Sequence, residues 1–239
     1  MKRKYIIIIS IISLVLLATI TFGKIGLDFY KETKIKEEIK EIMKYINTSN
    51  YTDQKLTEIL ERSVVKKGDY NEVETSIKNY YKDLANDLSN LQFLLSEDNF
   101  VNYLSADNLK EDQPNFIKSK ANLVNSASQI EEVYQNINTR TTDINTKRYY
   151  IADKQVKTYY KDFYLSLIED NITEEFTKKI KAEKNNGIEK TKTYNQVLDF
   201  LIANEGHWNL NQDIIVFDET TLYEEYLNIT KSLKEDSAS

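Results

Sequence analysis

The sequence predicts a mainly all-α protein: an N-terminal transmembrane helix, then an elongated antiparallel helical bundle with a small C-terminal β-hairpin. Three observations predict it. The 239 residues include only five Gly and one Pro, far below the roughly 7% and 5% of average usage, so sharp corners are few. Residues 5–22 form an uncharged run, YIIIISIISLVLLATITF. Beyond it, apolar residues recur in steps of three and four over long stretches, the period of one helix face. By domain, 1–24 reads as a cytoplasmic stub and anchor and 25–170 as the long bundle. Residues 171–234 read as shorter helices with a hairpin at 207–217, and 235–239 as a frayed tail.

The apolar run is near the lower length limit for a helix crossing a ~30 Å hydrocarbon layer. Ser10, Ser13, Thr19 and Thr21 can bond back to carbonyls of their own helix. The segment is apolar on every face, unlike a half-buried core helix. Its partner is therefore membrane lipid. A cleaved signal peptide, giving a secreted protein, is the alternative, but such cores run about 7–15 residues and end in a small-x-small site. Here Phe22 separates Thr21 from Gly23, and Lys24 follows. Lys2, Arg3 and Lys4 abut the run and place the N-terminus in the cytoplasm, with the bulk of the chain extracytoplasmic.

The formal net charge is −6. Residues 1–24 hold four cations and no acid, so the remainder is still more acidic. Such a surface repels phosphate backbones, and no basic stripe offsets it, so nucleic acid is not an expected partner. With no Cys, disulfides, thiolate metal sites and a Cys nucleophile are excluded. The glycines, at 23, 26, 68, 187 and 206, match no nucleotide-binding fingerprint.

Ile35, Ile39, Ile42 and Ile46 make the first one-faced stripe. Asn47 to Asn50 interrupt it. Thr52 or Asp53 can cap the next helix, faced by Leu56, Ile59, Leu60 and Val64 and ended by Gly68 in the left-handed C′ position. Asp69 with Glu72 reads as a capping box. A seam then runs through Val73, Ile77, Tyr81, Leu84, Leu88, Leu91 and Leu95. Residues 96–114 read as a loop with a short helical turn, its Phe100, Tyr103 and Leu104 plugging the bundle end. A second seam links Phe116, Lys120, Leu123, Ala127, Ile130, Tyr134, Ile137, Thr141 and Ile144. Both seams are close to a 3.5-residue repeat and call for a partner helix. Whether 115–168 is one helix or two is open, with a break favoured at 143–148. Thr173 caps a charged helix, which Gly187 separates from another faced by Tyr194, Val197, Leu198, Leu201 and Ile202. Residues 207–217 read as a hairpin. Asp218 caps a last helix with Leu222, Tyr223, Tyr226, Leu227 and Ile229 on one face.

No catalytic constellation emerges, so a non-enzymatic protein without cofactor or metal is expected. The best partner-binding candidates are Tyr159, Tyr160, Phe163 and Tyr164, because Tyr is amphipathic and enriched at binding hot spots. Read as i,i+4 pairs, one pair belongs to the core and the other is half-exposed. Trp208 and Phe217 are either a ligand-stacking pair or anchors clamping the hairpin on the helices. Lone His207, near Asp213 and Asp218, reads as a loop histidine. Adjacent acids such as Glu37-Glu38 read as solvated helix faces. Protein–protein interaction or scaffolding at the cell surface is the function expected, with a small-ligand sensor as the alternative.

Overall fold

The structure is a computed structural model. It describes the backbone of residues 2–235 and the side chains of 23–100, 102–231 and 233. The side chains of 5–22, expected to lie in lipid, fall outside these residues. Among the described residues no helix is long and apolar enough to cross a membrane. The described residues form ten α-helices and two strands, so the chain is mainly helical with a small C-terminal hairpin. It divides into two compact units, Met1–Asp83 with Ile144–Asn171, and Leu84–Asp143 with Ile172–Ser239.

The first unit holds α1 (Lys2–Asn47), α2 (Gln54–Glu61), the first half of α3 (Asp69–Leu95), α7 (Ile144–Ala152) and α8 (Thr158–Glu169). The isoleucine stripe of α1 is sealed, with Ile35, Ile39 and Ile42 at 0% exposure and Ile46 at 1%. It is buried with Leu56 and Ile59 of α2, Val73, Ile77 and Tyr81 of α3, and Leu167 and Ile168 of α8. Each such side chain contributes about 1.5–3 kcal/mol on leaving water. Asp53 caps α2 as expected, accepting from the Lys55 N–H at 2.7 Å.

Helix α2 ends at Glu61, short of Val64. The reason lies on α3. The Glu74 carboxylate accepts the N–H groups of both Val64 and Val65 at 2.8 Å. Those donors are thereby drawn into a loop. Gly68 takes a left-handed φ of 84° at the entry to α3, not at the end of α2. Glu72 pairs with Lys154 at 2.8 Å.

The second unit holds the rest of α3, α4 (Glu97–Val101), α5 (Ala106–Asp112), α6 (Ile117–Thr142), α9 (Glu174–Ala203), β1 (Trp208–Asn211), β2 (Ile214–Phe217) and α10 (Thr220–Glu235). The expected loop at 96–114 is thus built from short helical segments. On α6 the seam residues Leu123, Ile130 and Ile137 are buried, one per heptad. The stretch 115–168 is three helices, broken at Asp143 and again at 153–157.

Gly187 does not divide the charged segment: α9 runs through it. A Cβ there would lie 2.1 Å from Leu95 Cδ2 and 3.4 Å from Ile130 Cδ1. The glycine serves close packing of α9 in the middle of a helix. Thr173 caps α9 as expected, its hydroxyl accepting the Phe176 N–H at 3.2 Å. The hairpin pairs Trp208 with Phe217 and Asn211 with Ile214. Its Gln212-Asp213 turn has positive φ at both positions, 48° and 66°, the geometry that matches strand twist.

Candidate functional site

The four sequence-predicted partner residues all lie on α8, at the end of the first unit that includes residues 28–32 of α1. The structure divides them by position along the helix, not by i,i+4 pairing. Tyr164 is fully buried and Phe163 is 8% exposed, whereas Tyr159 is 55% exposed and Tyr160 is half-buried. Tyr164 donates to the Lys147 carbonyl of α7 at 2.8 Å. It belongs to the core.

Tyr159 and Tyr160 are positioned by α1 and α3. Glu32 of α1 accepts the phenol of Tyr70 at 2.7 Å and that of Tyr159 through the same carboxylate oxygen. Tyr160 packs edge-on against Tyr70, ring centroids 4.8 Å apart, and Tyr159 edge-on against Tyr160 at 5.3 Å. Lys31 Nζ lies 5.4 Å from the Tyr70 ring centre, close enough for a cation–π attraction. A Tyr this exposed would ordinarily sample several rotamers; this one is pre-ordered, which lowers the entropy cost of being bound.

The environment keeps these phenols protonated at neutral pH. Burial, then the hydrogen bond to Glu32, pushes the Tyr70 phenol up. The bond to Glu32, then burial, raises Tyr159. Burial, then the charges of Asp28 and Asp69, raises Tyr160. They are donors and apolar surfaces, not bases. In the same unit, Asn79, Lys82, Asp83, Tyr149, Tyr150, Asp153 and Lys154 line a groove of about 550 Å³. Tyr149 is 75% exposed there, and Tyr150 donates to Asp83 at 2.5 Å.

A second charged cluster was not visible as such in the sequence. Glu38 and Glu74 with Lys78 are 5%, 2% and 4% exposed. Lys78 Nζ donates to Glu38 at 2.9 Å, to Glu74 at 2.8 Å and to the Arg62 carbonyl at 2.6 Å, which uses all three of its donors. Arg62 Nε reaches Glu38 at 2.9 Å and its guanidinium reaches Glu41 at 2.6 Å. Glu38, read as half of a solvated acidic pair, is buried; Glu37 remains exposed. The spacing carries the signal, because Ile35, Glu38 and Ile42 step by three and four along the buried stripe. The cluster fixes α1, α3 and the 62–65 loop to one another.

In the second unit, Trp208 Nε1 donates to the Leu201 carbonyl at 2.8 Å and its ring lies 6.2 Å from Phe116. Phe217 lies 5.7 Å from Phe200 and 5.3 Å from Tyr226. Both side chains pack against the helical core of that unit. Phe217 also lines a cavity of about 370 Å³ with Ile214, Ile215, Val216 and Tyr223. His207 Nδ1 lies 3.2 Å from Asp218 Oδ2 at the base of the hairpin, so Asp218 faces His207 and α10 begins after it at Thr220. With Glu219 these residues bring three ligand-type atoms within 4.8 Å, all exposed. Asp213 pairs with Lys110 instead. Comparison with family models, with curated proteins and with solved structures finds no match to this chain.

Proposed function

We propose that this chain is a non-enzymatic, single-pass membrane protein, held by residues 5–22 with its N-terminus in the cytoplasm. Its helical ectodomain takes part in protein–protein interaction or scaffolding at the cell surface. The observation that carries the reading is Tyr159: more than half exposed, yet fixed through Glu32 and edge-on against Tyr160. A rigid aromatic with an exposed face is what a binding hot spot requires. The buried charges Glu38, Glu74 and Lys78 are engaged by one another and by the 62–65 loop, as a structural cluster is.

The test is crosslinking in intact cells with identification of neighbours. Tyr159→Ser with Tyr160→Ser is expected to abolish capture while far-UV circular dichroism is unchanged. Capture that persists at the same level removes this surface from the proposal. A second reading is favoured by the cavity beside Phe217: a small-ligand sensor working through a partner membrane protein. A ligand seated there raises the unfolding midpoint, and Phe217→Ala removes that rise.

A further inference from the structure

The turns of α1 around residues 25–30 carry a cluster of apolar side chains that the described residues leave uncovered. Ile25 is 59% exposed, Leu27 61%, Phe29 72% and Tyr30 59%. At 100° per residue, they spread over an arc of about 200°, with Lys24, Asp28 and Lys31 on the remaining side. A partner helix covers one narrow stripe. An arc this wide needs an occupant that surrounds the rod.

We propose that residues 25–30 are an interfacial seat, immersed in the headgroup layer of the bilayer that holds residues 5–22; the inference rests on the anchor reading above. The lengths agree. The uncharged run spans about 27 Å as helix, and Gly23 and Lys24 carry the chain to the edge of a hydrocarbon core of about 30 Å, where the Lys24 amine reaches outward. Residues 25–30 then extend about 8 Å further, close to the depth of one headgroup layer. Phe and Tyr with flanking Lys are the residues that such a layer accommodates, the ring in the apolar part and the charge outward. Glu32 lies one turn beyond Asp28 and holds Tyr159. The seat therefore sets Tyr159 just above the headgroups, and the partner it meets is itself at the membrane surface.

The chain has no Cys, so a single Cys introduced for labelling is unique. Gly26→Cys suits a nitroxide, because a Cβ there meets nothing within 4 Å and the apolar neighbours are kept. Lys44→Cys, exposed farther along α1, is the aqueous reference. The full chain is reconstituted in phosphatidylcholine vesicles and recovered by flotation. Accessibility of each label to oxygen and to a nickel chelate is then measured. The expected result is an oxygen-to-nickel ratio several-fold higher at 26 than at 44, falling when Ile25, Leu27, Phe29 and Tyr30 are changed to Ser. Equal ratios in floated protein overturn the seat and leave the anchor standing. A label at 26 shielded from both reagents means that a second copy covers this face, and also overturns it. Protein that fails to float overturns the anchor reading, and the seat with it.

Discussion

Lys78 of α3 and Glu38 of α1 meet at 2.9 Å, each about 95% removed from water. Burying either charge alone is costly, and their attraction offsets that cost only because every hydrogen-bonding position is filled. Lys78→Ala leaves buried Glu74 without a cation and buried Glu38 with Arg62 alone. The expected loss is about 3–5 kcal/mol, read as a lower midpoint in urea unfolding. Glu38→Ala combined with Lys78→Ala should cost less than the sum of the single changes. Strict additivity would show that the pair is not coupled.

The same cluster sets a pH dependence. Burial pushes the Glu38 carboxyl up, but the hydrogen bonds from Arg62 and Lys78 outweigh it and hold the group below its ordinary value of 4.5. A carboxyl with a depressed folded value stabilises the fold at pH above the unfolded value, and that contribution fades as pH falls through the folded one. Stability should therefore be level above about pH 5 and drop below about 4.5. Glu38→Gln should flatten the acid limb relative to the parent. An unchanged limb would assign it to other carboxylates.

The helices were readable because burial on one face leaves a period in the sequence. Ile35 to Ile46 and Leu123 to Ile137 show this directly, as do the caps at Asp53 and Thr173. What escaped the reading depends on residues distant in the chain. Val64 leaves α2 because Glu74, ten residues later, takes its N–H. Gly187 looks like a helix breaker until Leu95 is seen against it. At the candidate site, the aromatic composition of α8 was legible, but depth was not. Tyr160 and Tyr164 occupy the same helical face, yet only Tyr164 is sealed, beneath Lys147 of α7. No local pattern encodes that contact.

That difference in depth predicts opposite costs for one chemical change. Tyr164→Phe removes the hydrogen bond that a fully buried phenol donates to the half-buried Lys147 carbonyl and should destabilise by about 0.5–1.5 kcal/mol. Tyr159→Phe removes a phenol from an exposed position, and Glu32 still holds Tyr70. Its cost should stay within about 0.5 kcal/mol. Thermal unfolding of the two variants side by side decides this, and equal losses would contradict the assignment of Tyr164 to the core.

Gly187 gives a prediction whose sign depends on its neighbour. In an open helix, Gly→Ala stabilises by about 1 kcal/mol through backbone entropy. Here the new methyl group would meet Leu95 Cδ2 at 2.1 Å, a distance that forces the leucine out of its place. Cδ2 is the far end of a half-buried side chain that can turn aside, so the lost packing offsets the propensity and Gly187→Ala should leave the midpoint of urea unfolding unchanged or lower. Leu95→Ala removes the obstructing atoms, while Ile130 Cδ1, at 3.4 Å, remains in ordinary contact. In that background Gly187→Ala should raise stability by up to about 1 kcal/mol. The difference between backgrounds separates close packing from helix breaking, because a glycine kept only for backbone freedom would give the same change in both.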